Sequence, residues 1–114
     1  MKKEMWTVFA ALVMASASTS ATSATALAER HVKMGVNCEQ CHQTKLPQEG
    51  AKVKNQTCLA CHQSYDVLAK RTEKLNPNPH KTHLGNVRCS DCHSGHGQSR
   101  LMCNDCHKFD LKVK

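Results

Sequence analysis

Four copies of the pentapeptide Cys-x-x-Cys-His dominate the chemistry of this 114-residue chain and use all eight of its cysteines. The copies are Cys38–Cys41–His42, Cys58–Cys61–His62, Cys89–Cys92–His93 and Cys103–Cys106–His107. This is the attachment signal of a c-type haem, in which two thiols bond to the porphyrin vinyl groups and the adjacent imidazole ligates the iron. On a helical turn, positions i, i+3 and i+4 share one side, so all three side chains reach one macrocycle. The motifs predict four covalently bound haem c groups.

Four of the eight histidines lie outside the motifs and match the number of predicted irons. A single spare histidine is more often a surface residue, but here the count agrees and each spare lies within a few residues of a motif. We therefore expect two imidazoles at every iron, which leaves no open coordination position for a substrate. This favours electron transfer over catalysis. The spare histidines are His31, His80, His83 and His96.

Two other uses of cysteine compete with haem attachment. Cys-x-x-Cys pairs with histidines also form structural zinc sites, and disulfides are common in exported chains. Neither requires a histidine directly after the second cysteine in all four copies. Haem attachment accounts for the whole pattern.

The N-terminus has the composition of a secretory signal peptide. Lys2 and Lys3 precede an apolar stretch over residues 5–15, and a Ser/Thr/Ala-rich segment ends in Ala26-Leu27-Ala28. We expect cleavage after Ala28, with cleavage after Ala26 as the second choice, so that residues 1–28 are removed and residues 29–114 form one domain in the periplasm. An uncleaved membrane anchor is the alternative, but the apolar run is shorter than the roughly 20 residues that a bilayer requires.

Composition indicates how this domain folds and which partners it excludes. Large hydrophobic residues are few, so we expect a mainly α fold with much irregular structure, a small multihaem cytochrome c organised around its haems. The best helix candidate runs from Cys58 to about Leu75, with Thr57 as its N-cap, and shorter helical turns are expected at the other motifs. Residues 76–79, Asn-Pro-Asn-Pro, are expected to form an extended connector. The net charge of +7 is largely offset by eight haem propionates, so nucleic-acid binding has little support.

From His31 to His107 the chain resembles the small tetrahaem cytochromes c of the periplasm. It equally resembles the N-terminal tetrahaem domain of flavocytochrome c fumarate reductases. The most specific stretches are His80-Lys81-Thr82-His83 and the segment from Cys89 to His96. Spacing alone leaves the assignment of His80 and His83 open. The resemblance implies that the iron ligands pair as His42 with His31, His62 with His83, His93 with His80, and His107 with His96.

The expected function is a periplasmic tetrahaem electron carrier. A quinol-linked cytochrome is the expected donor, and a flavoprotein or another periplasmic reductase the expected acceptor. The alternatives are a dedicated cytochrome subunit of a separately encoded flavoprotein reductase, a small multihaem reductase enzyme, and a membrane-anchored carrier that takes electrons from quinol.

Overall fold

The computed structural model describes residues 25–114 as short helices joined by irregular segments. No strand occurs within this range, which confirms a mainly α fold with much irregular structure. The helices are α1 (Leu27–Lys33), α2 (Cys38–His42), α3 (Asn55–His62) and α4 (Tyr65–Arg71), followed by two 3₁₀ helices, Cys89–Asp91 and Met102–Asp105. The predicted signal peptide lies mostly outside the described residues; its predicted cleavage site falls in the first turn of α1.

Every Cys-x-x-Cys-His motif contains a helical turn, as the spacing predicts. The first motif is helix α2, which Asn37 starts through a capping box: the Asn37 side chain accepts a hydrogen bond from the Gln40 amide, and the Gln40 side chain accepts one from the Asn37 amide. The second motif ends helix α3. The last two motifs have tighter 3₁₀ turns. The helical turns are those that the i, i+3, i+4 spacing of the motifs predicts.

The prediction of one continuous helix from Cys58 to Leu75 is wrong. The first helix begins at Asn55 with Lys54 as its N-cap, so Thr57 lies inside it. It ends after His62 because Gln63 has φ 74° and ψ −100°. Ser64 then starts α4 by accepting a hydrogen bond from the Val67 amide at 3.3 Å. The residue after the first motif, Gln43, also has a positive φ, 59°, so both motif helices end directly after their histidine.

The connector from Asn76 to Pro79 also differs from the extended structure that the sequence predicts. It is bent over residues 75–77, with a cis bond before Pro77, and turns again at residues 79–80. The Asn78 side chain donates a hydrogen bond to the Ala69 carbonyl at 2.7 Å, and this contact folds the connector back onto α4. His80 is therefore held beside the end of α4.

Hydrophobic side chains alone do not form a core in this fold. Leu101, at 8% exposure, is the single buried hydrophobic residue in the described part of the chain. Val32 and Met34 remain 58% and 70% exposed. A chain of this size is already marginal for burying surface. The fold agrees with the expectation that large apolar groups other than side chains supply its interior.

Candidate functional site

The eight histidines form four pairs, and each pair joins a motif histidine to a histidine outside the motifs. In every pair the two imidazole centroids lie 6.0 to 6.3 Å apart. The two ring planes are nearly parallel in two pairs and steeply inclined to each other in the other two. The pairs are His42–His96 (6.0 Å, 11°), His80–His93 (6.3 Å, 4°), His31–His62 (6.1 Å, 69°) and His83–His107 (6.3 Å, 75°).

This separation is the one that two imidazoles adopt on opposite sides of a metal ion. With metal–nitrogen bonds of about 2.0 Å and about 1.1 Å from nitrogen to ring centre, trans imidazoles have centroids roughly 6.2 Å apart. Within residues 25–114, no three His, Cys, Asp or Glu side chains lie close enough together to hold a metal ion. Among these side chains, a metal between two paired rings would therefore have only the two imidazoles as ligands. A pair of imidazoles, one of which directly follows a Cys-x-x-Cys, fits the protein ligands of a c-type haem.

The structure changes three of the four ligand pairs that the family resemblance implies. His93 and His80 pair as expected. His31 faces His62 instead of His42, and the two other changes follow: His42 faces His96, and His107 faces His83. The chain before processing also has one contact between segments that are distant in the sequence. The Ala28 amide donates a hydrogen bond to the Gly95 carbonyl at 2.7 Å, so the segment containing His96 lies beside α1.

Several motif cysteines lie near one another. Burial, followed by the neighbouring Cys89 thiol and then Cys41, raises the pKa of Cys58 to about 11. Cysteines of the first three motifs are therefore close to each other. Burial, followed by its contact with Cys89, likewise raises the pKa of Tyr65 to about 12. The Tyr65 hydroxyl lies 3.9 Å from the Cys89 sulfur.

Asn55 and Tyr65 connect the second motif to the third, and sequence reasoning missed both. The Cys89 amide donates a hydrogen bond to Asn55 Oδ1 at 3.0 Å, and Asn55 Nδ2 donates to the Val87 carbonyl at 3.1 Å. The Tyr65 hydroxyl accepts a hydrogen bond from Asn55 Nδ2 at 2.9 Å and donates one to the same Val87 carbonyl. No local signal marks Asn55, because two of its partners, Val87 and Cys89, lie more than 30 positions away.

Three of the paired imidazoles have a hydrogen-bond partner at Nδ1, which leaves Nε2 for a metal. His31 Nδ1 lies 2.9 Å from the Leu27 carbonyl, and His80 Nδ1 lies 3.1 Å from the Thr72 hydroxyl. His93 Nδ1 lies 3.1 Å from the Lys114 carbonyl. Such contacts fix the tautomer and ring orientation of metal-ligating histidines. Burial is the main cause that lowers the pKa of both His80 and His93, which favours the neutral imidazole that ligation requires.

The Arg30 side chain is also suited to bind a haem carboxylate. Its Nε is buried and has no hydrogen-bond partner within the described protein, and its charge is close enough to act on His93. A buried guanidinium nitrogen without a partner is costly, and an anion satisfies it. A propionate of a haem ligated by His93 is an anion of the required kind.

Comparison with known proteins agrees with the site. The cytochrome c3 family profile matches residues 30–108. The probable fumarate reductase Ifc3 of Shewanella frigidimarina is 36% identical over 103 residues, which is 90% of this chain and 17% of that protein. The cytochrome c-type protein Cgr1 of Eggerthella lenta is 40% identical over 53 residues, 44% of this chain and 24% of that protein.

A relative of similar length is the acrylate reductase cytochrome subunit of Shewanella woodyi. It is 30% identical over 115 residues, and the match covers 93% of each chain. By contrast, the chain spans less than a quarter of the length of the two relatives above.

The motifs, the paired imidazoles and the sparse core define a c-type cytochrome, an electron-transfer protein with covalently bound haem c. The chain belongs to the cytochrome c3 family. None of the helices in residues 25–114 has both the length and the hydrophobicity to cross a membrane.

Proposed function

We propose that this chain is a periplasmic carrier with four haem c groups, one at each Cys-x-x-Cys-His motif, and that each iron has two histidine ligands. The four imidazole pairs, 6.0 to 6.3 Å apart, are the single observation that carries this proposal. In each pair one histidine comes directly after the motif cysteines and the other from elsewhere. The four sites are thus equivalent in composition.

The protein's own residues restrict what each site can do. A bound haem supplies a one-electron ferric/ferrous couple. The two cysteines of a motif would hold it covalently, and the two paired imidazoles would ligate its iron. The iron would then have no position left for a substrate oxygen or nitrogen. The residues therefore support transfer of electrons between partners and do not support reduction of a substrate at the metal.

Contacts between motifs support electron transfer from one haem to the next. The Cys89 thiol is close enough to Cys58 to raise its pKa, so the second and third attachment points are adjacent. His62 is close enough to His93 to affect its pKa. Asn55 and Tyr65 tie these two motifs together through the Val87 carbonyl and the Cys89 amide. A rigid link between neighbouring sites keeps the distance between them constant.

A second candidate is a dedicated cytochrome subunit that donates electrons to a separately encoded flavoprotein reductase. The full-length match to a protein named as the cytochrome subunit of an acrylate reductase favours it. The match to a much longer probable fumarate reductase is compatible with the same kind of donor fused to another domain. A general carrier would reduce several periplasmic acceptors at similar rates, whereas a subunit would prefer one.

Carbon monoxide binding to the reduced holoprotein tests the closed coordination. Carbon monoxide binds ferrous haem only where an axial position is open. We expect no change in the absorption spectrum of the wild type, and a change at one haem in the variant His96→Ala, which serves as the positive control. Stoichiometric binding to the wild type would contradict the proposal.

A further inference from the structure

The end of helix α4 and the bent connector form a hydrogen-bonded clamp around one candidate ligand, His80. Asn78 is at its centre: its Oδ1 accepts from the Thr72 hydroxyl at 2.7 Å and from the His80 amide at 3.1 Å, while its Nδ2 donates to the Ala69 carbonyl at 2.7 Å. The Thr72 hydroxyl in turn lies 3.1 Å from His80 Nδ1. The clamp thus contacts both the backbone and the ring of His80.

The direction of each hydrogen bond in the clamp follows from groups that can only donate or only accept. The His80 amide can only donate and the Ala69 carbonyl can only accept, so the orientation of the Asn78 amide is determined. The Thr72 hydroxyl then faces three acceptors, and its single proton goes to one of them. They are Asn78 Oδ1, the Leu68 carbonyl at 2.9 Å and the Ala69 carbonyl at 3.4 Å. Its oxygen is therefore the acceptor for His80 Nδ1–H. That tautomer leaves Nε2 as the nitrogen available to a metal.

A hydrogen bond from Nδ1–H makes an imidazole a stronger electron donor to its metal. A stronger donor stabilises ferric iron more than ferrous iron, so the reduction potential falls. In the described chain, His80–His93 is the one pair in which both rings have an Nδ1 partner, because His93 Nδ1 also lies 3.1 Å from the Lys114 carbonyl.

We propose that Thr72 is a positioning residue that acts through His80 to lower the reduction potential of the His80–His93 haem. Asn78 supports it by orienting the Thr72 hydroxyl. This inference rests on the proposed function, because it requires that these two histidines ligate a haem. The clamp also gives a role to the Asn-Pro-Asn-Pro segment, whose bend brings Asn78 against α4.

The test compares the holoproteins of Thr72→Val, which keeps the shape and removes the hydroxyl, and Thr72→Ser, which keeps the hydroxyl. Thr44→Val is the matched control, since the Thr44 hydroxyl accepts a bond from the Leu46 amide on an exposed loop. Each protein is titrated electrochemically while low-spin ferric signals are followed by electron paramagnetic resonance. In Thr72→Val we expect the one-electron reduction equilibrium of one haem to shift three- to tenfold toward the ferrous form. Its midpoint potential then rises by about 30–60 mV, at 59 mV per tenfold.

The other three midpoints, the control and Thr72→Ser should keep wild-type values. Unchanged midpoints in Thr72→Val, or an equal rise in Thr72→Ser, would overturn the role of the hydroxyl. The wild-type titration separates this result from the proposed function: fewer than four one-electron steps contradict the four-haem proposal. The comparison of variants tests Thr72 independently of that count.

Discussion

His42 and His96 lie with their imidazole centroids 6.0 Å apart and their ring planes within 11° of each other, although one ends the first motif and the other follows the third. Before processing, the Ala28–Gly95 hydrogen bond also joins the segment that contains His96 to helix α1. The proposed first haem site therefore takes its second ligand from a distant part of the chain. Its geometry depends on the assembly of the whole domain.

The pairing of His42 with His96 predicts which haem loses a ligand when His96 is removed. His96→Ala should convert one haem to a high-spin form. In a protein that lacks the first haem through Cys38→Ala and Cys41→Ala, adding His96→Ala should produce no further high-spin signal, because the iron that it ligates is already absent. The measurement is the high-spin intensity in the electron paramagnetic resonance spectrum. Persistence of the high-spin haem in the combined variant would favour the pairing of His96 with His107.

The ring-plane angles predict two classes of ferric haem. Parallel imidazoles, as in His80–His93 at 4°, act on the same iron d orbital and split the orbital pair. Perpendicular rings, as in His83–His107 at 75°, act on both orbitals equally and leave them nearly degenerate. In the electron paramagnetic resonance spectrum of the oxidised protein, we expect two rhombic low-spin signals and two highly anisotropic low-spin signals. Four signals of one type would contradict the angles.

Asn55 should contribute to stability because it joins helix α3 to the third motif. Asn55→Ala removes hydrogen bonds to the Val87 carbonyl, the Cys89 amide and the Tyr65 hydroxyl. At about 1 kcal/mol for each net bond, the free energy of unfolding should fall by roughly 2–3 kcal/mol. Guanidinium unfolding of the holoprotein measures it.

Asn86→Ala is the matched control, since Asn86 is an exposed asparagine of the same region, and it should stay within about 0.5 kcal/mol of the wild type. Equal losses in the two variants would show that the Asn55 contacts are not specifically stabilising.

The sequence predicts which residues form the site, but it does not predict how they pair in space. The motifs and the four spare histidines follow from residue types and spacing. The pairing does not, because it depends on how the folded chain brings together distant residues such as His42 and His96. The break at Gln63 was also missed, since glutamine has no local preference for a positive φ. Asn55 and Thr72 act through partners that only the folded chain brings together.

Export and processing form a separate prediction. We expect the mature protein in the periplasmic fraction with Glu29 as its first residue, after cleavage behind Ala28. N-terminal sequencing of protein purified from that fraction measures both location and cleavage site. A first residue of Leu27 would identify the second candidate site, and an intact Met1 in the membrane fraction would support the anchored alternative.

The most direct test of the central claim is the intact mass of the purified, oxidised protein under denaturing conditions. Covalent attachment keeps each haem on the polypeptide when noncovalent ligands are lost. The account predicts the mass of the processed chain plus four haem groups, with no free thiol remaining among the eight cysteines. A mass with fewer than four haems, or the mass of the polypeptide alone with free thiols or disulfides, would contradict it.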